Sequence, residues 1–425
     1  MSETVRLLSI GTTIVAAIQL GASVLGPRDR YARIAGNLLV TTFLRLGPTY
    51  IKLGQVLASR PDLVGTSVAR ELRVLLDAVP PPPFQRIESS LRAHFGQDIK
   101  SVFRQFGTTP IASGSIACVY HAELHDGSPV AVKIIRPGIR ATIIADLRFL
   151  RFLARCVNSI TFLRSIPLIE SVNQYMSAIE RQLDLRTEAN INEYLSNALA
   201  PEPLIHIPRI HHQYCGATFM TMELVRSDRH RDLLPAAAEQ AAIAGLRALY
   251  RMIFLAGVVQ GDPHEGNLLF RQDGSIDLLD FGFVAFLTDR ERLLFAEFFY
   301  SLATNRGERC AKITLTMASD FPRQMAYDEF VRDMSSLIDT FHGRSAAEFS
   351  VAEFALSLFA LQRRYRIRGT SALTLPIIAL MVYEGRAKEF YPLLDFQSLA
   401  EEYVFRAAFC STSSANQNAM VVEPK

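Results

Sequence analysis

A strong charge of either sign is missing from this 425-residue chain. Its 45 Lys and Arg nearly balance 42 Asp and Glu, leaving +3, too little to argue for nucleic acid as a partner. Cysteine is sparse. The five, at 118, 156, 215, 310 and 410, include no Cys-x-x-Cys pair and are odd in number. A complete disulfide framework is therefore not expected, and a reducing compartment fits. None of the nine histidines stands at zinc-ligand spacing, and the adjacent His211 and His212 read as loop residues. No internal repeat is visible. A long, undiluted apolar run is also lacking. Leu7 to Leu25 comes nearest, with no charge between Arg6 and Arg28, but Gly11, Thr12, Thr13, Gln19, Gly21 and Ser23 interrupt it. A spanning helix wants about 20 mostly apolar residues. A buried or amphipathic helix, a membrane-surface helix and a single span all stay open for this stretch. Sparse arginine and an acidic Glu3 argue against a transit peptide. At 49% hydrophobic residues, global disorder is excluded and a large core is affordable. The length admits two to three domain-sized units.

What is present concentrates between Gln260 and Gly282. The chain reads Gln-Gly-Asp-Pro-His-Glu-Gly-Asn-Leu-Leu-Phe, a short turn, then Ile-Asp-Leu-Leu-Asp-Phe-Gly. Phosphoryl transfer from a nucleotide needs one carboxylate near the attacking oxygen and oxygen ligands for magnesium. Asp262 and Asn267 stand at the spacing of a kinase catalytic loop, and Asp280, ahead of Phe-Gly, supplies a second metal ligand. Asp-Phe-Gly alone is a weak signal. The combination is strong because a Gly-bearing turn joins strands expected at Leu268–Phe270 and Ile276–Leu279. The competing reading is a surface hairpin with ordinary turn acids.

Upstream, residues 110 to 124 predict strand, small-residue loop (Ala112, Ser113, Gly114, Ser115) and strand. Asp126-Gly127 marks a turn. Val-Ala-Val-Lys-Ile-Ile, 130 to 135, is a third strand with Lys133 inside it. A lysine in an apolar strand needs a partner or water. It can guard a sheet edge or, as in a kinase small lobe, hold nucleotide phosphates. The loop upstream favours the second role. Helices are expected over Tyr31 to Val79, Phe84 to Arg104 with Gly96 near an interior break, Thr142 to Val157, Ile169 to Ala200 and Ala236 to Leu255, and mainly helix from Asp289 to near Tyr391. The strand pattern begins at Phe106, with further strands at Ile207 to Ile210 and Thr218 to Leu224. Glu188, on a polar helix face, is the candidate partner for Lys133. Met222 and Glu223 fall where a hinge would offer backbone groups to adenine. Phe295, Phe298 and Phe299 read as core. Pro80 to Pro83 form a stiff connector, and a boundary is placed there. The expected division is 1–83, 84–224, 225–410 and a flexible tail, 411–425.

These stretches resemble the UbiB/ADCK (aarF-type) family of atypical kinase-like proteins, over most of the chain. Lys52-x-Gly54-Gln55, the following Ser-Arg-Pro-Asp-Leu and the Asp-x-Val-Pro-Pro ending at Pro81 are similar to its diagnostic segment. Pro110 to Ala122 resembles its alanine-rich loop, and Val130 to Gly138 its Val-Ala-Val-Lys strand with Arg-Pro-Gly. The resemblance implies an α+β, bilobal protein-kinase-like fold: a small, mainly β N-lobe, a helical C-lobe, and a helical extension over the active site. It implies ATP or ADP with Mg2+. Lys133 would bind phosphates and pair with Glu188, Asp262 would occupy the catalytic-base position, and Asn267 and Asp280 would hold the metal. Lys52 and Gln55 would sit on a lid that excludes water and large substrates. Implied partners are a nucleotide, a lipid or quinone precursor, a membrane surface and proteins of a biosynthetic complex, with no nucleic acid. The implied location is cytoplasmic and peripheral at the membrane, a single N-terminal span staying open. Two departures stand out. The loop reads Ala-Ser-Gly-Ser where the family favours three alanines and a serine, so Gly114 is expected to bring backbone N–H groups closer to phosphate. Gln182-Leu183-Asp184 replaces Glu-x-Asp, which weakens any contact there to Lys52 or to metal. Two other functions compete with a UbiB-like ATPase or kinase of lipid metabolism. One is a small-molecule phosphotransferase of the aminoglycoside or choline kinase type, which lacks the Lys52–Gln55 segment. The other is a nucleotide-sensing scaffold without turnover.

Overall fold

The computed structural model describes residues 29–58, 64–77, 80–96, 98–158, 176–177, 179–225, 233–260, 267–344 and 348–409. The apolar stretch 7–25, the Ser-Arg-Pro-Asp-Leu segment, Asp262 and the tail 411–425 lie outside them. The chain divides into two compact units, Met1–Glu193 with Pro208–Arg226 and Phe281–Phe283, and Tyr194–Ile207 with Ser227–Asp280 and Val284–Lys425. No division falls at the Pro80–Pro83 connector.

The first unit is built on an antiparallel sheet in the order β1 (Phe103–Ser113), β2 (Ala117–Leu124), β3 (Pro129–Ile135), β5 (Phe219–Glu223). Strand alternation splits its side chains between two cores. Cys118, Tyr120, Ala122, Val130, Val132 and Ile134 pack with Ile87 and Leu91 of the helix Phe84–Phe95. Ala131 and Ile135 pack instead with Ile143 and Leu147 of the helix Ile139–Asn158 and with Leu185 and Ala189 of the helix Leu185–Leu199. The helix expected from Phe84 to Arg104 ends at the break expected near Gly96. Gly96 takes a left-handed C-cap (φ 65°) and, after one short turn (Ile99–Val102), the strand begins at Phe103 rather than Phe106. The helix expected from Ile169 to Ala200 is interrupted: residues 176–177 and 179–182 are helical, a turn at Leu183 breaks the run, and the helix Leu185–Leu199 follows, while residues 159–175 and 178 are outside the description.

Ahead of the sheet, the helices Asp29–Leu46, Pro48–Ala58 and Thr66–Leu72 close around Leu39, Phe43, Tyr50, Ile51, Val68 and Leu72. Gly47 (φ 102°) breaks the first from the second, and Pro48 then occupies a first-turn position where no N–H is missed. This extension is tied to the sheet's own helices: the Thr49 hydroxyl donates to Asp146 Oδ2 at 2.7 Å, both side chains buried.

The second unit is mainly helical. Pro235–Tyr250 buries an alanine face and runs into a π-helical stretch, Arg251–Ala256, which Gly257 (φ 66°) ends. Two short sheets follow. In one, β6 (Val258–Gln260) pairs with β9 (Val284–Phe286). In the other, β4 (Ile205–His206), β8 (Ile276–Leu278) and β7 (Leu268–Phe270) lie side by side. The strand expected at Ile207 to Ile210 is absent, since β4 ends at His206 and Ile210 makes only an isolated bridge to Met222. Thr288 starts the helix Asp289–Ala303 with a capping box closed by Glu291. Phe295, Phe298 and Phe299 are buried. Glu202 is buried between Arg251 Nε (2.9 Å) and the Tyr403 hydroxyl (2.8 Å) from the helix Ser398–Phe409. The small pair Ala318–Asp320 with Arg368–Gly369 was not expected from sequence. No described helix is long and apolar enough to cross a membrane.

Candidate active site

In the first unit, β3 carries Lys133 on the same face as Ala131 and Ile135, between Val119 of β2 and Met220 of β5. An ammonium buried there demands an anion. Glu188, in the first turn of the helix Leu185–Leu199, supplies it. Lys133 Nζ stands 2.5 Å from Glu188 Oε1, with the two side chains only 13% and 5% exposed. A carboxylate in a first helical turn also faces the positive end of the helix dipole. Asp184, just before that helix, is turned to a different use. Its carboxylate accepts from the Arg186 backbone N–H (3.1 Å) and from its guanidinium (3.0 and 2.6 Å). The Arg186 hydrogen bonds hold the Asp184 carboxyl below its ordinary range.

The small-residue loop closes the β1–β2 hairpin. Ala112 and Ser113 are the end of β1, paired with Val119 and Cys118, and Gly114 N–H donates to Ala117 O at 2.9 Å. Ser115 is buried. Gly114 does not hold a left-handed backbone, and a Cβ there would meet only Ala117 O, at 3.4 Å. What glycine offers at 114 is thus the missing methyl group rather than a left-handed backbone. At the far end of the sheet, Met222 pairs with Ala131, and Glu223 N–H is already committed to Arg209 O at 2.9 Å. The Glu223 N–H is therefore not a spare donor for adenine. A base meeting this strand end would find other backbone groups.

In the extension, Gly54 of the Lys-x-Gly-Gln segment is a contact point. A Cβ there would overlap Leu75 and lie 2.7 Å from Phe43 Cδ2, so only glycine lets these helices approach. Gln55 is buried, and its Nε2 donates to Leu75 O at 2.9 Å. This places Gln55 inside the extension's own packing. Lys52 is partly exposed on the same helix.

In the second unit, the β7–β8 hairpin carries Asn267 at its entry and leads into Asp280 at its exit. Leu279 N–H donates to Asn267 O at 3.1 Å, so the two residues emerge from adjacent ends of one hairpin. Asn267 is buried and Asp280 half-buried. Gln260 Nε2 donates to Asp280 O at 2.8 Å and steadies that strand exit. Asp262 falls outside the described residues. Three residues missed in the sequence brace the hairpin. Asp277, fully buried, accepts from Arg271 Nε at 2.7 Å and lies 2.6 Å from His206 Nδ1. The signal was available: a buried-strand carboxylate needs a cation, and Arg271 sits at the opposite end of the same hairpin.

With this geometry, the comparisons are decisive. The family model for the ABC1 atypical kinase-like domain matches residues 74–314, and that for the UbiB helical domain matches 334–395. The chain belongs to the ABC1/UbiB atypical kinase-like family. An uncharacterized protein of Mycobacterium tuberculosis is 31% identical over 340 residues, covering 78% of this chain and 69% of its own. The probable protein kinase UbiB of Pseudomonas fluorescens is 28% identical, with 89% of this chain and 73% of that protein covered. Among solved structures, a Mycobacterium tuberculosis protein in complex with erythromycin superposes with a TM-score of 0.53 at 20% identity, over 84% of this chain and 92% of that one. The fold of this family member is thus protein-kinase-like, α+β, with a four-stranded sheet and a helical unit.

Proposed function

We propose that the protein is a magnesium-dependent atypical kinase or ATPase. The observation that carries the reading is the buried Lys133–Glu188 pair at the centre of β3, the arrangement that holds nucleotide phosphates in kinase-like folds. The amide oxygen of Asn267 and the carboxylate of Asp280 are hard donors that suit Mg2+, which is commonly held by one or two carboxylates together with substrate phosphates. Among the described residues, no group of three or more His, Cys, Asp or Glu could hold a metal by itself. A cation here would draw on Asn267, Asp280 and the nucleotide. Asp262 takes the catalytic-base position, Lys133 and the loop Ala112–Ser115 hold phosphates, and the Lys52–Gln55 helix belongs to a lid. Family membership favours this reading over an aminoglycoside or choline kinase type. The finer reading is support for isoprenoid-quinone or other lipid biosynthesis beside a membrane, and it rests on family resemblance alone.

The test is Mg2+-dependent release of phosphate from ATP by the intact chain. Asp280→Ala should lower kcat by about 10²-fold or more, the size of loss seen when one electrostatic stabiliser is removed. Intact turnover in that variant would remove the assignment.

A further inference from the structure

Arg136 follows β3 by one residue, and its side chain reaches three acceptors in two separate parts of the chain. Its Nε donates to Gly114 O at 2.9 Å, Nη2 to the Ser113 hydroxyl at 2.9 Å and Nη1 to Pro80 O at 2.8 Å. Its own backbone N–H donates to Ile116 O, also at 2.9 Å. One side chain therefore grips the small-residue loop and the proline connector that joins the helical extension to the sheet. A planar guanidinium can serve three acceptors in fixed directions, which an ammonium cannot. The grip also has a directional result. In a trans peptide, C=O and the next N–H point opposite ways. With Gly114 O turned onto Arg136, the N–H of Ser115 is turned to the other side of the loop. An N–H turned this way can contribute to an anion-binding concavity, while the Gly114 N–H stays on Ala117 O.

We infer that Arg136 is the positioning residue of this loop: it orients the Ser115 amide toward phosphate and locks the loop to the connector, so that extension and loop move together. The proposal rests on the nucleotide reading of the site, and its test has an arm that does not. In the first arm, Arg136→Lys and Arg136→Gln are titrated with MgATP and, separately, with adenosine. The expected result is an affinity for MgATP weakened about tenfold or more, with adenosine affinity unchanged. Equal weakening of both ligands, or no change in either, overturns the positioning role. In the second arm, amide hydrogen exchange is followed without nucleotide. Residues 114–117 should exchange faster in Arg136→Gln, while the four-stranded sheet keeps its protection. Unchanged exchange at 114–117 overturns the clamp even if MgATP binding falls. A wild-type chain that binds no MgATP, with exchange altered as expected, would sink the nucleotide reading and leave the clamp standing.

Discussion

Glu188→Ala is the most informative single perturbation. It leaves Lys133, 13% exposed, without the carboxylate 2.5 Å from its ammonium. Removing one member of a buried ion pair costs about 3–5 kcal/mol, because a charge stays behind in a low-dielectric site. The residual access of Lys133 to water puts the expected loss at the lower end, about 3 kcal/mol. For a cooperative unit of this size, 1 kcal/mol shifts the midpoint by about 2–4 °C, so the transition of the sheet-bearing unit should fall by roughly 6–12 °C. Calorimetry resolves a shift of that size, and far-UV circular dichroism in urea gives the free energy. The double variant Lys133→Met with Glu188→Leu removes both charges and should be more stable than Glu188→Ala, since the ammonium goes together with the carboxylate 2.5 Å from it. MgATP affinity should fall in both. If Glu188→Ala stays within about 0.5 kcal/mol of the parent chain, the pair behaves as a solvated surface pair. The argument that the fold builds a buried phosphate-facing ammonium would then be wrong.

Two further predictions concern the second unit. A methyl group added at Gly245 would overlap the Tyr383 hydroxyl and lie 2.8 Å from its Cζ, and that hydroxyl donates to Ala242 O at 2.7 Å. Gly245→Ala should cost about 2–4 kcal/mol in urea unfolding, and Tyr383→Phe in the same chain should recover part of it; a neutral Gly245→Ala would contradict the packing. Burial pushes the Cys310 thiol up to about 12. It should resist iodoacetamide at pH 8 while folded and label on unfolding, read by peptide mass spectrometry, and labelling at the rate of a free thiol in the folded chain would contradict that burial.

Much of the site was legible because its chemistry depends on local spacing. Lys133 announced itself as the one charge in an apolar strand, and the hairpin around Asp277 lies between strands that the alternation marks at Leu268 and Ile276. Helix ends were less legible. The arrest at Gly96 follows from its left-handed C-cap, but the break at Leu183–Asp184, ahead of the helix Leu185–Leu199, is one that helical periodicity in the flanking residues does not announce. The prior commitment of the Glu223 N–H was hidden for a related reason. Its N–H is taken by Arg209, a residue whose position depends on a chain path that no local pattern encodes. Arg136 was visible only as part of Arg-Pro-Gly. Pro80 and the adjacent acceptors Ser113 and Gly114 are too far from each other and from Arg136 in sequence for spacing to connect them.

The junction at Glu202 sets a schedule for biosynthesis. Its partner Tyr403 is encoded 201 residues later, which at 5–20 residues per second is roughly 10–40 s of translation. Throughout that interval, a nascent chain on the ribosome carries an acidic group destined for the interior, with its phenolic partner not yet made. Chaperone dependence should therefore be concentrated in the second half of synthesis, and ribosome stalling before the last helix should yield chains that proteases attack around the Glu202 segment.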